Sequence, residues 1–239
     1  MPVLPPRVRR AFAVVGLALA GLLAAAVAEA ADGTRRALLV GVSDYPKETV
    51  GDLQLAGPKN DVALMIDTVR RMGFADRETI VLADGLAETA AARAADGPPT
   101  RAAILAAFDR LAAASRPGDF VLLYFSGHGS QQPDLAPEKR SVPKPDGLEE
   151  LFLPIDIGPW EDSVGSVRNA LVDHELGRAV AAIRATGARV WVVVDACHSG
   201  TMTRSGGDGL PKKVDPAVLG IPAAALERAR AAAAASAPP

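Results

Sequence analysis

The 239 residues carry a formal net charge of −2, with 49% hydrophobic and 23% charged side chains, the balance of an ordinary globular protein. With neither a basic nor an acidic excess, nothing in the charge asks for nucleic acid. Aromatic residues make up only 4% of the chain, so the core has to be built from Val, Leu, Ile and Ala, which favours a sheet flanked by Ala-rich helices.

Arg7, Arg9 and Arg10 precede an unbroken apolar run from Ala11 to Val27, and Ala28-Glu29-Ala30 follows with small residues where a signal peptidase reads them. This three-part pattern predicts a signal peptide over residues 1–30 and an exported protein, periplasmic or secreted. Retained, the same segment would be a membrane anchor. The only cysteine, Cys197, cannot form an internal disulfide, so it is either a buried apolar residue or a reactive thiol.

Beyond the leader, short β-branched runs alternate with longer helical patterns, the order expected of a parallel sheet covered by helices on both faces. Ala37 to Val42 reads as a first strand. Val62, Met65, Ile66, Val69 and Met72 recur at helical spacing behind an N-cap at Asn60 or Asp61. Thr79 to Leu82 is a second strand, and Thr100 caps a helix bearing Ile104, Leu105, Phe108 and Leu111. Phe120 to Phe125 is apolar throughout and reads as a buried central strand; it ends in Ser126-Gly127-His128-Gly129-Ser130. A polar, Pro-rich loop is expected from Gln131 to Gly147, then a short extended piece at Leu151 to Pro154 and a helix capped by Asp173. Val190 to Val194, equally apolar, reads as a buried fourth strand running into Asp195-Ala196-Cys197-His198-Ser199-Gly200. Residues 222 to 235 look like one Ala-rich helix.

Two strands thus each deliver a reactive residue at the carboxyl end, where parallel α/β sheets bind ligands. If those strands are neighbours, about 4.8 Å apart, His128 and Cys197 come within working distance. A thiol with a free pKa of about 8.5 is a weak nucleophile until an imidazole or a positive field supplies thiolate. His128 can do this and then protonate a leaving amine. The amides of Gly129 and Cys197 are candidates for an oxyanion hole. No residue orienting the imidazole is evident from the sequence.

Ser126-Gly127-His128-Gly129 after one apolar strand and Asp195-Ala196-Cys197-His198-Ser199-Gly200 after another resemble the paired signatures of metacaspases, caspase-like cysteine peptidases. The likeness extends to Asn60-Asp61, Asp146-Gly147, Pro154-Ile155-Asp156 and Asp173, covering about residues 36 to 204. It implies a caspase-like three-layer α/β fold over 34–210, with a mainly parallel sheet and helices on both faces. It also implies an acidic primary pocket selecting Arg or Lys, at Asp61, Ser126 and Asp195, consistent with carboxylates binding a guanidinium or ammonium. The Cys/His chemistry requires no cofactor. The family's calcium site would fall on Asp146 and Asp173, but His174 and Arg204 stand where further aspartates are usual and are poor donors to a hard cation; Asp208 lies nearby. The small-subunit strands that usually follow are replaced by an Ala/Pro-rich helix and tail over 211–239, leaving an edge that a second copy or a small-subunit partner could complete.

Simpler readings stand beside these. Asp61 could be only an N-cap and Asp195 only a loop-capping carboxylate. Asp146, Glu149 and Glu150 read as solvated loop charge, and His198 as structural. Lys139, Arg140, Lys144, Arg204, Lys212 and Lys213 are candidates for self-cleavage. The leading reading is an endopeptidase acting on proteins or peptides with a basic residue before the cut bond; the alternative is an inactive caspase-fold interaction module or dimerising scaffold.

Overall fold

The computed structural model of the protein describes residues 33–135, 144–196 and 212–236. The expected signal segment, Lys139, Arg140, Cys197, His198, Arg204 and Asp208 lie outside the described residues. Along the chain come β1 (Arg35–Gly41), α1 (Lys47–Val50), α2 (Gly57–Arg71), β2 (Thr79–Ala83), α3 (Arg101–Ala114), β3 (Phe120–Ser126), β4 (Gly129–Pro133), β5 (Leu148–Phe152), β6 (Trp160–Glu161), β7 (Ser166–Val167), β8 (Leu171–Val172), α4 (Asp173–Ala185), β9 (Arg189–Asp195) and α5 (Ala223–Ser236).

The centre is a parallel sheet of order β2-β1-β3-β9. Side chains alternate across it. Leu38 and Val40 of β1, with Val121, Leu123 and Phe125 of β3, pack with Ile104, Phe108 and Leu111 of α3 and Ile183 of α4. Ala37, Leu39, Leu122 and Tyr124 face the other way, onto Val62, Ile66 and Val69 of α2. The result is three layers with one helix on one face and two on the other, the arrangement that the alternating pattern predicts.

Chain direction across the sheet reverses between β1 and β3, which opens the crevice where such folds bind ligands. The register puts Ser126 opposite both Gly41 and Asp195 there. Gly41 lets α2 come close, since a Cβ at this position would lie 2.6 Å from Val62 Cγ2. That approach brings Asp61, in the second turn of α2, over the carboxyl ends of β1 and β3.

Four local expectations need correction. The first helix begins at Gly57, with Pro58 in its first turn and Ala56 as N-cap, so Asp61 sits inside the helix and caps nothing. Proline's fixed φ suits that first turn, and Asn60-Asp61 was the weaker start signal. Asp173 is the first residue of α4, the N-cap being Val172. The loop expected from Gln131 starts instead as part of a strand, β4, paired antiparallel with β5; β5 pairs in turn with β8. Finally, among the described residues β9 stands at the edge of the sheet rather than buried within it. Trp191, Val192 and Val194 are 53%, 41% and 41% exposed, and among the described residues no element covers that edge. An apolar run does not distinguish a central strand from an uncovered one.

Candidate functional site

His128 stands two residues beyond the end of β3, its backbone gripped from both sides. Its N–H donates to Tyr45 Oη at 2.9 Å, and its carbonyl accepts from Leu153 N–H at 3.0 Å. The Tyr45 ring lies 5.1 Å from the imidazole, centroid to centroid. Both residues are buried, and burial raises the Tyr45 phenol far above its ordinary pKa, so the hydroxyl stays protonated and can donate to the Leu153 carbonyl, 3.3 Å away. Tyr45→Phe would leave a buried backbone N–H without its partner, and we expect it to cost about 1–3 kcal/mol of stability in chemical denaturation.

The ring is aimed by backbone. Nε2 lies 2.8 Å from the Leu53 carbonyl oxygen and Nδ1 2.8 Å from the Lys212 carbonyl oxygen. Leu53 belongs to a loop fixed at several points: the Asp84 carboxylate accepts from Ser43 and Asp44 N–H, Gln54 donates to the Tyr45 carbonyl, and Leu55 N–H donates to the Ser43 carbonyl. A neutral imidazole has one N–H, so it can donate to one of the two carbonyls while its other nitrogen keeps a lone pair. Burial holds the His128 pKa below 6.5, outweighing the two carbonyls that favour the cation, with the Lys212 ammonium acting in the same direction as burial.

Asp61, Ser126 and Asp195 converge on one ammonium. Ser126 Oγ donates to Asp61 Oδ2 at 2.8 Å. Lys212 Nζ lies 2.6 Å from Asp195 Oδ2, 3.1 Å from Ser126 Oγ, 3.1 Å from the Asp195 carbonyl and 3.4 Å from Asp61 Oδ2. Beneath them Tyr124 is pushed up to about 12, by burial first and then by the carboxylates of Asp61 and Asp195, which marks the field there as negative. The Lys212 carbonyl also accepts from Gly129 N–H at 3.0 Å.

Among the described residues, Asp146 and Asp173 do not fall in one cluster of ligand atoms. Asp146 Oδ1 accepts from Leu148 N–H at 3.1 Å, closing the turn into β5. Asp173 instead groups with Glu149 and His174, their ligand atoms within 4.8 Å of one another. Glu149 is not solvated loop charge: it is 1% exposed and bonded by Gln132 Nε2 at 2.7 Å and His174 Nδ1 at 3.0 Å. Burial pushes its carboxyl up, against both of those partners. Lys144 Nζ lies 2.6 Å from Asp173 and also pairs with Glu150. A hard cation needs six to eight oxygens. Here an ammonium already holds one carboxylate and an imidazole replaces an oxygen, so this set does not fit calcium.

Tyr45 and the Leu53 carbonyl were not visible from sequence. A backbone acceptor carries no residue-type signal, and Tyr45 lies far from His128 along the chain.

A family model described as "Metacaspase, peptidase C14 domain" matches residues 35–205. Metacaspase III c of Phaeodactylum tricornutum is 33% identical over 177 residues, 74% of this chain and 46% of its own length. Metacaspase-1B of Aspergillus fumigatus is 31% identical over 173 residues, 72% of this chain and 37% of its own. Metacaspase-1 of Mycosarcoma maydis is 29% identical over 205 residues, 83% and 45% of the two chains. The chain therefore spans less than half the length of these relatives. The matched segment runs from β1 through β9, taking in the strand ends that gather His128, Asp61 and Asp195, and the chain belongs to the metacaspase family of cysteine peptidases.

Proposed function

We propose that the protein is a cysteine endopeptidase that cuts after Lys or Arg through Cys197 and His128. The observation that carries this is the convergence of Asp61, Ser126 and Asp195 on an ammonium beside an imidazole whose orientation is fixed. In the proposed reaction His128 takes the Cys197 proton, the thiolate attacks the carbonyl carbon, and the Gly129 and Cys197 amides receive the developing oxyanion. The imidazolium then protonates the leaving amine, and water hydrolyses the thioester. β3 and β9 are hydrogen-bonded neighbours with Ser126 opposite Asp195, so the chain positions of His128 and Cys197 each lie two residues past a matched pair. The Leu53 carbonyl acts as the orienting group, accepting from Nε2 and leaving Nδ1 for proton transfer.

The test is hydrolysis of short Lys-, Arg- and Asp-ended fluorogenic peptides by the chain lacking residues 1–30. Turnover of the basic peptides that disappears in Cys197→Ala is expected. Turnover surviving that change, or a preference for Asp, would remove the assignment.

A second reading, a dimerising scaffold, is favoured by the β9 edge, which no described residue pairs with. A second copy pairing along β9 would cover Trp191, Val192 and Val194. Trp191→Lys should then weaken self-association by about 2 kcal/mol or more in light scattering, whereas a wild-type monomer at all concentrations would exclude it. We also propose export: the N-terminus of protein recovered outside the cytoplasm should be Ala31, and recovery with Met1 would contradict cleavage.

A further inference from the structure

We propose that Asp84 is a positioning residue for His128: it clamps the loop that carries both Tyr45 and the Leu53 carbonyl, and so keeps the imidazole proton on Nε2. The inference deepens the Cys197/His128 reading above and rests on it. Asp84 directly follows β2, two places across the sheet from the strand that delivers His128. Its Oδ1 accepts from Ser43 N–H at 2.9 Å and its Oδ2 from Asp44 N–H at 2.7 Å. Ser43, itself buried, passes the constraint on in two directions. Its Oγ accepts from Lys59 N–H in the first turn of α2 at 3.1 Å, and its carbonyl accepts from Leu55 N–H at 2.8 Å. Gln54 Nε2 donates to the Tyr45 carbonyl at 2.8 Å. Residues 43–55 are thus closed on themselves and anchored to the sheet through one carboxylate.

This loop delivers the orientation of a single ring. Tyr45 Oη accepts the His128 N–H at 2.9 Å. The Leu53 carbonyl lies 2.8 Å from Nε2, and the Lys212 carbonyl lies 2.8 Å from Nδ1. The two acceptors are equidistant and a neutral imidazole has one N–H, so distance alone does not select the tautomer. The Lys212 carbonyl already accepts from Gly129 N–H at 3.0 Å, whereas the Leu53 carbonyl owes its place to the clamped loop. Held there, it draws the proton to Nε2 and leaves Nδ1 the lone pair that proton transfer needs. Released, it lets the proton settle on Nδ1, which blocks that role.

A carboxylate that merely capped its own turn would bond to its neighbours in sequence. Asp84 reaches across 40 residues to Asp44, and both of its oxygens face this loop. The acidic pocket is held separately, because α2, which carries Asp61, packs on the sheet through Val62, Ile66 and Val69. Loosening the loop should therefore disturb the ring more than the pocket.

The experiment compares Asp84→Asn with the parent chain, both lacking residues 1–30. Asn keeps the shape but presents one oxygen and turns an NH2 toward the other amide donor. In labelled protein bearing Cys197→Ala, long-range proton–nitrogen NMR, with His128→Ala to assign the ring, should show mainly the Nε2–H tautomer, and Asp84→Asn should shift population to Nδ1–H. In the chain that keeps Cys197, kcat on Lys-ended peptides should fall about tenfold or more in Asp84→Asn, with KM changed less than about threefold. Ile183→Val, a trimmed core residue in the last turn of α4, should lower the denaturation midpoint and leave ring and kcat unchanged. In the parent, the Ser43 and Asp44 amides should be protected from hydrogen exchange as strongly as that of Leu55, a measurement that needs no variant to fold. A parent ring mainly in the Nδ1–H form, an unchanged tautomer or kcat in Asp84→Asn, free exchange of the two amides, or the same changes in Ile183→Val would each overturn the inference. If basic peptides are cut and Asp84→Asn moves neither tautomer nor kcat, the inference alone fails. If the parent cuts no basic peptide, the proposed function fails, and the ring and exchange measurements still decide whether Asp84 sets the tautomer.

Discussion

Replacing His128 with Ala is expected to lower kcat/KM on Lys- or Arg-ended peptides by about 10²–10⁴-fold, the usual contribution of a positioned acid–base group. Little of that loss should be structural. The two hydrogen bonds that fix residue 128 use its backbone N–H and carbonyl, and the substitution keeps both. Steady-state kinetics beside a denaturation curve checks this: a small change in midpoint with a large fall in kcat is the expected pair, and unchanged kcat would contradict it. The pH behaviour has a definite sign. Because burial dominates and holds the His128 pKa below 6.5, the unfolded chain binds a proton more readily than the folded one. This group therefore costs nothing above the unfolded pKa and destabilises the fold as pH falls from there through the lower folded value. An NMR titration of the His128 ring in Cys197→Ala should show a midpoint below 6.5.

Neutralising the pocket is expected to have the next largest effect. Asp195 Oδ2 makes the shortest contact to the Lys212 ammonium, 2.6 Å, and Asp61 the longest, 3.4 Å, though Asp61 also holds Ser126 Oγ at 2.8 Å. A hydrogen bond to a charged group contributes about 1.5–3 kcal/mol. Asp195→Asn should therefore reduce kcat/KM for basic peptides by roughly 10- to 150-fold. Asp61→Asn should fall in the same range, since it weakens the ammonium contact and unsettles Ser126. The double variant should be less than additive because both carboxylates act on one cation. Equal losses on Lys-ended and uncharged peptides would show that the substitutions damage the site generally, against a role in selectivity.

How far the sequence could be read depended on whether a feature was local. β1 and β3 emerged within about two residues of their ends because Leu38 to Val40 and Val121 to Phe125 are buried on both faces and so apolar without interruption. The same criterion failed on β9, since Val190 to Val194 has the composition of a covered strand while standing at an edge. Asp61 and Asp195 were singled out by motif, but their convergence depends on α2 crossing close above Gly41 and on the β3–β9 register, which no single segment specifies. The environment of Glu149 is not legible locally, because its partners, Gln132 and His174, come from a neighbouring strand and a helix. Lys212 could be named among loop cations but not ranked, because its place is set by the return of the chain onto Gly129.

The most direct measurement is the labelling of Cys197, the only cysteine, by matched peptidyl electrophiles ending in Lys or in Asp, followed by intact mass and peptide mapping. Preferential single labelling of Cys197 by the lysyl reagent, lost in His128→Ala and reduced in Asp195→Asn, is the predicted result. Labelling that ignores the terminal residue and persists unchanged in His128→Ala would contradict the account, because it would describe an ordinary exposed thiol with neither an acid–base partner nor an acidic pocket.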